Sequence, residues 1–355
     1  MKIMQIIPVF SMGGGEIMCE TLTTELARGG HKVLAVSLYS DETDITRRMQ
    51  KNGVDVRFLG KKGGFDVSAI FRLRKLIRRE RPDVIHTHLY ALKYAVLAKL
   101  FLRIPGVHTV HSVAQREANP RDQKANRFFY RRRMSVPVAL SDEVQGTITE
   151  LYGLTESQCP VILNGVDLTQ CTPKTDYALH DPVRIIHVGR FSEPKNHECI
   201  IDAVSKLPRG VYRVDLWGEG ERLDEIRDRV ARAGLADEII FNGTTTDTYQ
   251  KLSASDIFIL PSKWEGVPMS IIEAMGTALP IIASDVGGVS DMLTNDQSGV
   301  LIEPDAAALS AAIERLTASA QLRQRLGQTA LAASARFSAA EMATHYTDLY
   351  ASLLT

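Results

Sequence analysis

Two glutamates stand eight residues apart in the stretch Pro261-Ser262-Lys263-Trp264-Glu265-Gly266-Val267-Pro268-Met269-Ser270-Ile271-Ile272-Glu273-Ala274-Met275, separated by a glycine–proline turn and the start of a predicted helix. A carboxylate accepts paired O–H donors, so residues of this type can hold the hydroxyls of a polyol. The backbone N–H groups of Met269 and Ser270 fall at the helix N-terminus, where they have no partner within the helix and suit a diphosphate. Upstream, residues 188–196 follow an apolar run and carry Arg190 and Lys195 five residues apart, beside another predicted helix start. Arg190 can fork onto phosphate oxygens and Lys195 supplies a point charge, together offsetting the charge that develops on a leaving group. The plain alternative is a pair of surface cations. Two glutamates also invite a glycosidase reading, with one carboxyl as acid and the other as nucleophile or base. Hydrolysis of a plain glycoside has no use for cations at a helix start, and Glu273 lies on the helix rather than opposite Glu265. The pattern therefore reads as a clamp.

A third stretch, Gly13-Gly14-Gly15-Glu16, lies between the first apolar run and the first helical one, where unhindered backbone approaches an anionic or hydroxylated ligand. It lacks the full Gly-x-Gly-x-x-Gly spacing, which disfavours a dinucleotide site and ranks an NAD-dependent oxidoreductase low. The cysteines Cys19, Cys159, Cys171 and Cys199 are scattered without Cys-x-x-Cys spacing, so neither a disulfide framework nor a zinc site is expected, and a reducing cytosol is the natural compartment. Asp-x-Asp is absent from the sequence, in keeping with a site where fixed cations replace a divalent metal.

Such residues need strands to end beneath them. Short apolar runs at 3–8, 33–38, 54–59, 83–86, 107–111 and 136–140 recur with helical stretches between most of them, and the rhythm restarts at 183–188, 212–217, 238–241, 256–260, 280–284 and 299–302. This is the pattern of two α/β domains with doubly wound parallel sheets, whose ligands sit at the carboxyl ends of strands. In the first helix Met18, Leu22 and Leu26 share one face, with Gly29-Gly30 where a C-cap belongs. The polar, proline-bracketed stretch 171–182 is the expected connection, placing a hinge near 165–182. The boundaries so read are 1–165 and 166–337, the first domain binding the acceptor. Over 355 residues the net charge is zero, yet Lys+Arg against Asp+Glu counts 25 to 17 in residues 1–170 and 17 to 25 in residues 171–355. The start is too short for a signal peptide core, and no run reaches the length of a membrane span.

Taken together, the stretches resemble the landmarks of the family 4 retaining glycosyltransferases, in order and over essentially the whole chain. Glu265, seven intervening residues and Glu273 look like that family's double-glutamate signature; residues 13–16, His111, residues 164–167, residues 188–196, Gly218-Glu219-Gly220 and Gly287-Gly288-Val289 look like its other landmarks. The resemblance implies a GT-B fold, two Rossmann-like doubly wound domains facing a central cleft. It further implies that Glu273 accepts from the donor ribose and Glu265 holds hydroxyls of the transferred sugar. His111 is placed near that sugar, Gly218 lines the nucleotide cleft, and the main chain of Asn242 and Gly243 faces the base. Gly14, Gly15, Gly266, Val267, Pro268, Met269 and Ser270 complete the expected donor site, with Arg190 and Lys195 as its phosphate clamp and no metal. The family often has aspartate directly after the histidine; Ser112 stands there instead. By the same analogy a C-terminal helix, 338–355, packs back on the first domain.

The implied activity is transfer of a hexose or N-acetylhexosamine from a UDP-sugar to a lipid-linked or oligosaccharide acceptor in bacterial surface-polysaccharide assembly. Rivals are a GDP-mannose-dependent mannosyltransferase, a GT-B sugar-nucleotide epimerase and a silent nucleotide-sugar binding protein. The nucleotide sugar is a substrate, and no cofactor is expected. Basic helical stretches at 72–79 and 127–133, the second mixing Phe128, Phe129 and Tyr130 with arginines, suit peripheral contact with an anionic membrane from the cytoplasmic side, the alternative being a packed aromatic face. Nucleic acid is disfavoured by the acidic second half and the lack of recognition motifs.

Overall fold

The computed structural model describes residues 1–355 apart from positions 12 and 246. The chain divides into two compact units, Met1–Val166 with Phe337–Thr355, and Asp167–Arg336. The first holds six parallel strands, β1 (Lys2–Ile7), β2 (Lys32–Ser37), β3 (Asp55–Phe58), β4 (Val84–His88), β5 (Gly106–Thr109) and β6 (Val136–Val138), in the order 3-2-1-4-5-6. The second holds β7 (Val183–Val188), β8 (Tyr212–Trp217), β9 (Ile239–Phe241), β10 (Ile257–Leu260), β11 (Ile281–Ser284) and β12 (Val300–Ile302), in the order 12-11-10-7-8-9. Counted within its own unit each sheet has the same order, so each has one reversal: between β1 and β4, and between β7 and β10. In a doubly wound sheet that reversal opens a crevice beyond the strand ends.

Burial explains the strand pattern. The central strands are covered by helices on both faces and read as continuous apolar runs; Ile257, Phe258, Ile259 and Leu260 of β10 are all fully buried. In the helix Gly14–Arg28, Met18, Leu22 and Leu26 are buried and Gly29 caps the end. The helix Ala339–Ser352 belongs to the first unit, packing on Gly14–Arg28 and burying Met342, Tyr346 and Tyr350.

The stretch 171–182 is a strap bound to the second unit. The Tyr177 hydroxyl donates to the Ala278 carbonyl at 3.0 Å, and Arg323 forks onto the Tyr177 carbonyl at 2.6 and 3.1 Å. The His180 amide and ring both meet the buried carboxylate of Asp256, at 3.2 and 2.9 Å. Composition marked these residues as loop, but side chains distant in sequence satisfy their backbone. The units divide after Val166, inside the expected 165–182 range and one residue from the expected boundary; the Val166 N–H donates to the Phe337 carbonyl at 2.9 Å and its carbonyl receives the Ala339 N–H at 2.8 Å.

Candidate active site

The second unit gathers its expected residues at the β7/β10 reversal. Beyond β7 the chain turns through Gly189 and Arg190 to Lys195 and Asn196; beyond β10 it runs from Pro261 to Glu265. Asn196 adopts a left-handed conformation (φ 51°), which asparagine tolerates, and its side-chain amide donates to the Pro261 carbonyl at 3.0 Å. The Lys263 amide donates to the Pro194 carbonyl at 2.8 Å. So stitched, the two loops bring Lys195 Nζ to 2.6 Å from Glu265 Oε1, an oxygen that also accepts from the buried Ser262 hydroxyl at 2.6 Å. The second Glu265 oxygen has no such partner among the described residues and remains for a ligand hydroxyl.

Arg190 is not part of that pair. Its side chain is 69% exposed and meets Glu221, itself 58% exposed, at 3.2 Å. Exposed pairs of this kind contribute about 0–1 kcal/mol, so a diphosphate can draw the guanidinium away at little loss. The two cations therefore hold separate positions on one loop rather than forming a preset clamp.

The helix Met269–Gly276 starts after Pro268 with no side chain capping it, leaving its first N–H groups to a ligand. One turn on, Glu273 is half-buried. Burial pushes it up to about 7, and no group among the described residues donates a hydrogen bond to it. Burial and then the Glu273 charge push the thiol of Cys171 up to about 12 and raise Tyr249 well above its usual value, which places both beside the carboxyl. An acceptor without a donor in a partly desolvated place is open to the hydroxyls of a ligand.

Backbone packing shapes the rest of this rim. Gly218 has φ +144°, and a Cβ there would strike the Gly189 carbonyl; its N–H donates to the Gly243 carbonyl at 2.7 Å. Gly243 thus spends its oxygen within the protein. The Asn242 side chain turns to Asp215 at 3.0 Å, leaving main-chain groups of this segment rather than the amide for a base. Gly288 lies so close to the Gly266 carbonyl that only glycine fits.

In the first unit His111 lies two residues beyond β5, against the glycine turn after β1. A Cβ on Gly15 would stand 3.2 Å from the His111 ring, whereas one on Gly14 would meet nothing. Behind the ring runs a buried ladder. His111 Nε2 is 3.0 Å from His88 Nδ1, and His88 Nε2 is 2.9 Å from Gln5 Oε1. The Gln5 amide nitrogen meets Tyr350 Oη at 3.5 Å, and that hydroxyl lies 2.6 Å from His86 Nδ1. Burial pushes His88 well below its usual value and His111 down to about 4, so both rings are neutral at pH 7. With Gln5 Oε1 accepting, His88 carries its proton on Nε2 and accepts at Nδ1. His111 must then donate from Nε2, which leaves its Nδ1 a bare acceptor beside Gly15.

Sequence reasoning passed over Ser262, His88 and Gln5. Ser262 was inside the recognised segment, and His88 lies just past the strand read there; the Gln5 contact has no local signal because 83 residues separate it from His88. On the helix Pro120–Arg131, Phe129 and Tyr130 are buried, while Phe128 is 53% exposed with the Arg132 guanidinium 5.4 Å from its ring centre. Two of the three aromatics are thus core. Among the described residues no helix is long and apolar enough to cross a membrane, and no group of three or more His, Cys, Asp or Glu is placed to hold a metal ion.

Residues 12–170 match the family described as Glycosyltransferase Family 4, and residues 175–332 match Glycosyl transferases group 1. The chain is 29% identical over 263 residues, 67% of each chain, to the Escherichia coli UDP-Gal:alpha-D-GlcNAc-diphosphoundecaprenol alpha-1,3-galactosyltransferase. It is 26% identical to a glycogen synthase of Mycobacterium tuberculosis, over 91% of this chain and 88% of the other. A crystal structure of Anabaena HepE with UDP-glucose superimposes with a TM-score of 0.88 at 20% identity, covering 99% of each chain, a likeness of fold. The two family matches divide the chain between them, one to each unit, and the protein is a member of the family 4, group 1 glycosyltransferases, built on the GT-B fold and acting in glycoconjugate or polysaccharide biosynthesis.

Proposed function

We propose that the protein transfers a hexose or N-acetylhexosamine from a UDP-sugar, with retention of configuration and without a metal, to a lipid-linked or oligosaccharide acceptor at the cytoplasmic face of the membrane. The observation that carries the reading is the β7/β10 reversal, where the Lys195–Glu265 pair, the uncapped helix start at Met269 and the donor-less carboxyl of Glu273 lie on consecutive loops of one sheet edge. In this reading Glu273 takes the ribose hydroxyls, the N–H groups of Met269 and Ser270 take the diphosphate with Arg190 and Lys195, and Glu265 turns its second oxygen to the sugar. In the first unit, His111 offers Nδ1 as an acceptor for a sugar hydroxyl. A UDP donor and a lipid-diphosphate acceptor are in keeping with the name of the E. coli relative. GDP-mannose is the second donor to consider, because a Rhizobium meliloti lipopolysaccharide core mannosyltransferase is 33% identical over 199 residues, half of this chain.

The test is a thermal-shift panel of UDP-, GDP- and ADP-sugars with and without EDTA. The expected result is stabilisation by one UDP-sugar, unchanged by EDTA and lost in Glu273→Ala. A shift with GDP-mannose alone would replace the donor, and release of free UDP without acceptor would indicate an epimerase. No shift with any donor in folded protein would overturn the assignment.

A further inference from the structure

A cavity of about 310 Å³ opens in the first unit at the carboxyl ends of β4 and β5, lined by Tyr90, Lys93, His108, Glu117, Asp122 and Asn126 together with Leu89 and Leu92. Its one cation is already committed: Lys93 meets both Asp122 oxygens at 2.8 and 3.1 Å. Glu117 lines the cavity, its Oε1 is buried with no hydrogen-bond partner among the described residues, and burial pushes the carboxyl up to about 7. Behind it the buried Tyr130 hydroxyl also lacks a partner and feels the Glu117 charge. Buried polar atoms are nearly always paired, so an orphan carboxylate oxygen on a residue of the cavity wall marks a place where a ligand supplies the missing group. Acceptors dominate the wall and the cation is neutralised, so an anion would meet two carboxylates. A neutral ring with several hydroxyl donors and an apolar face for Leu89, Leu92 and Tyr90 meets complementary groups.

We propose that this cavity is a carbohydrate subsite that seats one uncharged sugar ring of the acceptor, with Glu117 accepting its hydroxyls. The inference rests on the transferase reading above and names the acceptor chemistry. A volume of this size holds a single ring.

Saturation-transfer NMR on the full chain tests it, with methyl α-glucoside, methyl α-galactoside and methyl N-acetyl-α-glucosaminide as probes and inorganic phosphate as competitor. The expected result is transfer to at least one glycoside, undiminished in Glu273→Ala and by phosphate, and weakened about tenfold or more in Glu117→Gln and Asn126→Ala at unchanged melting temperature. Asn126→Ala keeps the test readable if Glu117→Gln disturbs the loop. Glycoside binding equal to wild type in both folded variants, displacement by phosphate, or no binding of any probe to wild type would overturn the subsite. Donor stabilisation is read separately on the same samples. Its loss with glycoside binding intact sinks the donor reading, and the reverse sinks the subsite alone.

Discussion

Replacing Tyr350 by phenylalanine removes one oxygen atom, and the structure specifies what that oxygen holds. It lies 2.6 Å from Nδ1 of His86 and 3.5 Å from the Gln5 amide nitrogen, with Tyr350, His86 and Gln5 all fully buried. Burial keeps His86 neutral, and because the tyrosine oxygen already receives the Gln5 amide, its own proton goes to His86 Nδ1, which accepts. The ring stays in Tyr350→Phe, so no cavity forms and the loss is that of a buried acceptor left unpaired, about 1–3 kcal/mol. The long contact to Gln5 adds little. For a unit of this size each kcal/mol moves the melting temperature by roughly 2–4 °C, giving an expected drop of roughly 2–12 °C. Scanning calorimetry measures it, and hydrogen exchange across Ala339–Ser352 localises it, since the tyrosine is on that helix. A shift below about 1 °C with protection unchanged would show that the C-terminal helix is not anchored through this hydroxyl, and the reasoning would fail.

Glu273 and Glu117 each titrate near 7 in the folded chain against 4.5 as free groups, both through burial. A group whose folded value is raised contributes stability below its unfolded value and loses it as pH rises through the folded one, so the melting temperature should fall between pH 5 and pH 8. Glu273→Gln should flatten part of that slope, making the variant relatively more stable at pH 8 while donor stabilisation disappears; an unchanged slope in a pH series of melting curves would show that the carboxyl is not desolvated. The buried ladder predicts His111 in the Nε2–H form, readable from ring nitrogen shifts. His88→Leu should lower turnover about tenfold with donor stabilisation intact, and a wild-type His111 protonated on Nδ1 would refute the assignment.

All twelve strands were legible because each carries apolar residues in a short run or in alternation, as in β3 and β8, ended by a turn, a local pattern that survives without knowledge of the partners. The Glu265/Glu273 segment was legible for a similar reason: its loop and helix are contiguous, so spacing in sequence is spacing in space. Arg190 and Lys195 were also read from spacing, but spacing could not say which neighbour each would meet, and Glu221 and Glu265 come from other loops. The attachment of 171–182 to the second unit left no signal, because polar composition does not reveal that Asp256, Ala278 and Arg323 will bind it. Glu117 left no signal, since one glutamate on a short helix is ordinary until the fold sets it in the wall of a cavity.

The crossing at Val166 has a consequence for biosynthesis. Asp167–Arg336 is one uninterrupted span, while the unit around it contains both the earliest and the latest residues of the chain. On the ribosome the later-made span has all its strands and can close at once. The earlier one must wait with the faces of Gln5, His86 and Thr109 uncovered until Tyr346 and Tyr350 emerge. The part synthesised first is completed last.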